Sequence, residues 1–293
     1  MNAVPGTTWT TTRRDTRLPA RPTQRTARRD LMIFFALVVV LSAPLELAIG
    51  RTQALKDAGG VLLVGPLMLV PASSAFVTRL LTRQPLWRTP TSETHDGHRG
   101  ALGPAVVYAI PFLAGLPAYA LAVALGLVHW DPPTPGPWVA AVVAATILNV
   151  VLVPGEEFGW RGFMVPRLIE AEVPSPLVVS GVIWGVWHLP LILWGSLVLD
   201  GPAPWISSAI FMALAVTLGY VLAWLRVETG RTRGPILLHV IWNVAFQAGF
   251  EAAVAGDVEG LWLGEAGLLT TATLVLVVGW LARPGGRLAL ART

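Results

Sequence analysis

Residues 101–128 read A-L-G-P-A-V-V-Y-A-I-P-F-L-A-G-L-P-A-Y-A-L-A-V-A-L-G-L-V, and from 100 to 128 no Asp, Glu, Lys or Arg interrupts 29 consecutive positions. A hydrocarbon core takes roughly 20 apolar residues per helical crossing, so this run is long enough to cross a bilayer. Residues 201–225 are equally free of charge. Working outward, comparable runs fall at about 31–49, 60–79, 102–128, 138–156, 176–197, 204–225, 235–252 and 264–282. The expected fold is therefore all-α, a polytopic transmembrane helical bundle of about eight spans. The strands of a membrane barrel would be shorter and would alternate.

Composition agrees with this reading. Of 293 residues, 54% are hydrophobic and 13% charged, about half the charged fraction of an ordinary soluble domain. There is no cysteine, which excludes disulfides, thiolate metal sites and a cysteine nucleophile. The formal charge of +4 comes from arginines set between apolar runs, a pattern that fits lipid headgroups rather than nucleic acid. If the runs are spans, all basic residues but Arg51 and Lys56 fall on one side. By the positive-inside rule that side is cytoplasmic, with both termini there. Asp131, Asp200, Asp257, Glu259 and Glu265 then fall on the opposite face.

Residues 1–30, rich in Thr, Arg and Pro, read as a disordered basic cytoplasmic arm, and 31–293 as the transmembrane domain with a core at about 138–253. A cleaved signal peptide is not expected, because the first apolar run starts late and Pro44 and Glu46 follow without a small-x-small site. Residues 84–99 read as a polar loop and Pro132–Pro137 as a stiff turn. No repeat suggests the inverted halves of a transporter.

Ionisable groups within spans are costly and are functional candidates by default. They are Glu46, Glu156, Glu157, His188, His239 and Glu251, with Asn149, Asn243 and Gln247 as uncharged companions. Glu46 stands apart from the rest, and His95, His98 and His129 read as solvated histidines.

Three motifs follow in order. In Glu156-Glu157-Phe158-Gly159-Trp160-Arg161, placed at the cytoplasmic end of the fourth span, Glu157 and Arg161 are i, i+4 and can pair while Glu156 points about 100° away. Asn149 shares the face of Glu156. In Trp184-Gly185-Val186-Trp187-His188, an aromatic wall stands one turn before the imidazole. His239 and Asn243 share a face, with Gln247 one turn further. Each also admits a structural role: acids snorkelling to headgroups, a satisfied histidine, or interhelical hydrogen bonds. Helical rise puts these groups at unequal depths, to be reconciled in the cytoplasmic half by tilt or shifted boundaries.

Together the motifs resemble the CPBP family of intramembrane proteases, which includes the type II CAAX prenyl endopeptidases and bacterial Abi-type members. The family pattern is Glu-Glu-x-x-x-Arg, aromatic-x-x-x-His and His-x-x-x-Asn/Asp. It is met by Glu156-Glu157…Arg161, Trp184…His188 and His239…Asn243, with Trp184 where the family usually has Phe. The resemblance implies that Glu156 is the general base, that His188 holds or helps activate water, and that His239 and Asn243 stabilise an oxyanion. Glu157 and Arg161 would keep the helix geometry. It leaves open a divalent metal such as zinc on Glu156, His188 and His239, although no H-E-x-x-H is present. The partners implied are membrane lipids and a peptide or membrane-protein substrate, prenylated if the eukaryotic relatives are the guide. The Arg-rich, Lys-poor composition points to a bacterial cell membrane. A noncatalytic scaffold or immunity protein, and a transporter, are the other readings.

Overall fold

The computed structural model describes residues 23–52, 60–86, 105–194, 203–256 and 261–283, together with 286 and 288. It is a helical membrane bundle. Seven helices are long and apolar enough to cross a bilayer, and a shorter apolar helix follows, all among the described residues.

Helix α1 covers Gln24–Thr52, α2 Gly60–Leu81 and α3 Ile110–Ala124, the last entered through a 3-10 turn at Val106–Ala109. The strand β1, His129–Trp130, precedes α4, Pro135–Gly159. A π-helical turn at Trp160–Met164 carries α4 directly into α5, Val165–Glu170. Then come α6 (Pro176–Leu193), α7 (Pro204–Thr229) and α8 (Arg233–Val244). Helix α8 runs through a π turn at Ala245–Phe250 and a 3-10 turn at Glu251–Ala253 into β2, Val254–Ala255, and α9 spans Leu268–Ala282. β2 pairs antiparallel with β1, His129 opposite Ala255, a two-residue ladder that ties two loops at one end of an otherwise helical fold.

Close helix contacts rest on glycine. A Cβ at Gly159 would lie 2.4 Å from Pro71, and one at Gly155 2.7 Å from the Met68 carbonyl, so α2 and α4 meet backbone to backbone. Gly219 and Gly181 do the same for α6 and α7, where a Cβ on Gly219 would be 2.7 Å from the Gly181 Cα. Small residues at such crossings let membrane helices approach closely enough for dispersion to hold them.

Several expectations change. The helix begins at Gln24, so Arg25, Arg28 and Arg29 belong to α1 rather than to a basic arm. The part of that arm before residue 23 lies outside the described residues, as do His95, His98, Lys56, Asp200, Asp257 and Glu259. The proline-rich stretch ends early because Pro135 is the first residue of α4, where its missing N–H costs no helical hydrogen bond.

The fourth span does not stop at Glu156. Its helix continues to Glu170, about 21 Å further at ~1.5 Å per residue. The charges that seemed to end it are paired inside the protein. Near its end, Arg167 Nε lies 3.2 Å from Asp30 of α1, Gln84 donates to the same carboxylate at 2.6 Å, and Arg167 also pairs with Glu170. The guanidinium groups of Arg79 and Arg167 flank the Phe163 ring at 5.5 and 5.4 Å.

Candidate active site

The extra length of α4–α5 removes the mismatch of depths. A Cβ on Gly162 would touch Thr232 at 3.2 Å, so the turn before α8 stands level with Gly162. From that level Glu156 is about 9 Å and His239 about 10 Å into the bundle, at ~1.5 Å per residue. His188 is about 18 Å from the start of α6 by the same measure. All of them reach one cavity.

That cavity has a volume of about 630 Å³ and is lined by Glu156, His188, His239, Asn243, Gln247 and Glu265, among others. Glu251 also borders it, while Glu46 does not. The motif residues sit toward the arginine-rich end, and the cavity extends from them to Val128, Val254 and Leu263 at the opposite end.

Trp184 is the hub. Its indole N–H donates to Glu156 Oε2 at 2.9 Å, and its carbonyl lies 2.9 Å from His188 Nδ1. Its ring stands edge-on to His188 and His239 at 5.2 and 5.5 Å and is capped by the Arg161 guanidinium at 4.8 Å. A carbonyl oxygen only accepts, so His188 carries its proton on Nδ1 and leaves Nε2 as an acceptor when neutral. Trp187 and Phe211 complete an aromatic cage around His188 at 4.8 and 5.0 Å. Trp187 is in turn anchored by donating to Ser42 of α1 at 2.8 Å.

Glu157 and Arg161 pair as their spacing predicts, at 2.7 Å and with both side chains fully buried. Across the bundle His239 Nδ1 lies 2.9 Å from the same Glu157 oxygen, a contact between α4 and α8 that the linear order does not reveal. The acid next to Glu156 thus serves two cations or donors at once. Asn243 donates to Asn149 Oδ1 at 2.8 Å, so Asn149 contacts a cavity residue without itself lining the cavity.

Glu265, singled out in the sequence only for the side of the membrane on which it falls, has a carboxylate that accepts from Trp242 Nε1 and Gln247 Nε2, each at 3.0 Å, and its own N–H donates to Glu251 at 2.6 Å. Gly264 N–H is held by the Tyr119 hydroxyl at 3.1 Å. Burial pushes the Glu265 carboxyl above its ordinary range, against the hydrogen bond from Gln247, the nearby His239 and the bond from Trp242. The sequence signal for Glu265 is slight: an acid between two glycines of a short interhelical segment.

Among the described residues, no three His, Asp or Glu side chains gather as a metal-holding group. The zinc set of Glu156, His188 and His239 is therefore not assembled in this arrangement.

A polytopic helical bundle with carboxylates, imidazoles and amides facing one internal cavity defines a membrane-embedded protein whose polar chemistry lies inside the bundle. Residues 135–245 match the family model described as type II CAAX prenyl endopeptidase Rce1-like, and this segment is a domain of that CPBP family. It runs from the start of α4 to the end of α8 and contains all three motifs. The family's printed description is that of an endopeptidase. No curated protein matches the chain.

Proposed function

We propose that the protein hydrolyses a peptide bond within the membrane with water activated by Glu156. The observation that supports this best is that Glu156, His188, His239 and Asn243 border one cavity while their polar atoms are held by Trp184, Glu157 and Asn149. A catalytic group must be held in place to act, and here each has a polar atom held by a neighbouring residue.

Water would lie between Glu156 and the Nε2 of His188. Glu156 takes its proton as the oxygen attacks the scissile carbonyl, whose electrons move onto oxygen. Asn243 and a protonated His239 donate to that oxyanion. When the intermediate collapses, the C–N bond breaks and Glu156 returns the proton to the leaving amine. Glu157 and Arg161 hold His239 and Trp184 without touching substrate.

The substrate class is a peptide or membrane protein, and a prenylated C-terminal peptide is the form suggested by the family's printed name. The charge split favours cytoplasmic termini, which puts the catalytic groups in the cytoplasmic half with the cavity extending outward. A bacterial cell membrane remains our reading of the composition, and 138–253 of the catalytic core.

Glu156→Gln tests the assignment. The amide keeps the size of the side chain and can still accept from Trp184, but it cannot take a proton. The purified variant should accumulate normally and fail to cleave; turnover equal to the parent would reject Glu156 as base. Single cysteines at Pro133 and Pro90 of this cysteine-free chain test the topology, with Pro133→Cys labelled only from outside and Pro90→Cys only from inside.

A further inference from the structure

The whole chain contains three asparagines, Asn2, Asn149 and Asn243. Two of them, 94 residues apart, are hydrogen-bonded to each other beside the catalytic cavity, and both are about 6% exposed. The order of this contact is fixed by a third group. Asn149 Nδ2 donates to the Ala145 carbonyl at 3.0 Å, and a carbonyl has no proton to give. The Asn149 amide must therefore turn its nitrogen to Ala145 and its oxygen to Asn243. That oxygen can only accept, so Asn243 must meet it with its own nitrogen.

We infer that Asn149 is a positioning residue that sets the amide orientation of Asn243 and so decides which of its atoms meets the substrate. The inference rests on the reading of Asn243 as an oxyanion donor. A free asparagine amide turns over by rotation about χ2 at little cost, and with its oxygen toward an oxyanion it would repel rather than stabilise. Tied to Asn149, the Asn243 nitrogen spends one N–H on the chain and keeps the other for the reaction. The arrangement leaves Asn243 Oδ1 buried without a partner. A buried acceptor without a partner is costly, and an untethered amide would have little to hold it in this orientation. The Ala145–Asn149–Asn243 chain prevents it.

The scarcity of asparagine makes a direct test possible. Protein labelled with 15N-asparagine in detergent should show three side-chain amide pairs, assigned with Asn149→Leu and Asn243→Ala. In Asn149→Leu the Asn243 pair should shift and its protons should exchange faster with water. If the Asn243 pair is unchanged in Asn149→Leu, the inference falls, whatever the protein cleaves.

Turnover supplies the second arm, measured on an internally quenched peptide with a farnesylated cysteine four residues from its C-terminus. Asn149→Leu should lower kcat by about tenfold with KM within about twofold, less than the roughly 10²–10³ for losing an oxyanion donor outright. In an Asn243→Ala background it should cost nothing more, because its only route to the reaction is gone. Equal losses in both backgrounds would show a general packing role and overturn the proposal. If the parent leaves this peptide intact, the prenyl-peptide reading is what fails, and the amide spectra alone decide the role of Asn149.

Discussion

Glu157 and His239 lie 82 residues apart in the chain, yet Oε1 of one and Nδ1 of the other are 2.9 Å apart in the interior of the bundle. An ionised carboxylate has no proton to offer, so His239 must donate from Nδ1. Its Nε2 is then bare in the neutral ring and becomes a donor only when the ring is charged. The same Glu157 oxygen takes Arg161 Nη1 at 2.7 Å. One carboxylate thus balances the arginine and fixes how the histidine faces the cavity, a larger task than holding the local helix.

Glu157→Gln should therefore destabilise the protein strongly. It leaves the fully buried Arg161 without its counter-charge, and breaking a buried ion pair by removing one partner costs about 3–5 kcal/mol. The expected result is lower accumulation and a melting temperature well below that of Glu156→Gln in the same detergent. Equal melting temperatures for the two variants would show that Glu157 carries no such load.

Gly159 is the second stability determinant, for a steric reason. Because a Cβ there would fall 2.4 Å from the Pro71 backbone and side chain, Gly159→Ala has to push α2 away from α4. Overpacking of this kind costs about 1–3 kcal/mol. Gly159 lies on the same helix as Glu156 and Glu157, so a shift at this crossing moves the cavity wall and cleavage should fall along with the melting temperature. By contrast, Gly136→Ala, where nothing lies within 4 Å, should change neither.

The helices and the three motifs were legible in the sequence because each depends on local spacing: apolar length for the spans, and i, i+4 for Glu157 with Arg161, Trp184 with His188 and His239 with Asn243. What was not legible depends on tertiary packing. The fourth span seemed to end at Glu156 because charged residues follow it, whereas Arg161 and Arg167 find partners inside and the helix runs on. The indole N–H of Trp184 can be seen in its side chain, but not that Glu156 would receive it. Glu265 lies in a short segment between helices, where no periodicity marks a face, and only the folding of that segment over α8 brings it to Trp242 and Gln247.

Glu265 should leave a signature in the pH dependence of stability. Burial raises its carboxyl in the folded protein above the ordinary 4.5. For a group raised on folding, the stabilising contribution is complete below the unfolded pKa and is lost as pH rises through the folded one. The melting temperature should thus decline as pH increases from about 4.5. Glu265→Gln does not titrate, and its carbonyl can still accept from Trp242 while Gln247 turns its amide over. Its melting curve should lack that part of the decline; the same slope in parent and variant would show that Glu265 does not titrate differently on folding.

Trp184→Phe isolates a single hydrogen bond. Phe is the residue usual at this place in the family pattern, so the substitution keeps an aromatic ring beside His188 and beneath Arg161 and removes only the donor to Glu156 Oε2. Losing a neutral donor to a charged acceptor costs about 1.5–3 kcal/mol where the bond is fully formed. Much of that loss should appear in catalysis, because the bond fixes the rotamer of the proposed base. The expected result is a fall in kcat of about tenfold or more with little change in KM, and a melting temperature lowered less than in Glu157→Gln. If Trp184→Phe turns over as fast as the parent, the indole N–H is not needed to aim Glu156. Water would then have to be held chiefly by His188, whose Nδ1 contact is to the residue-184 backbone carbonyl and survives the change.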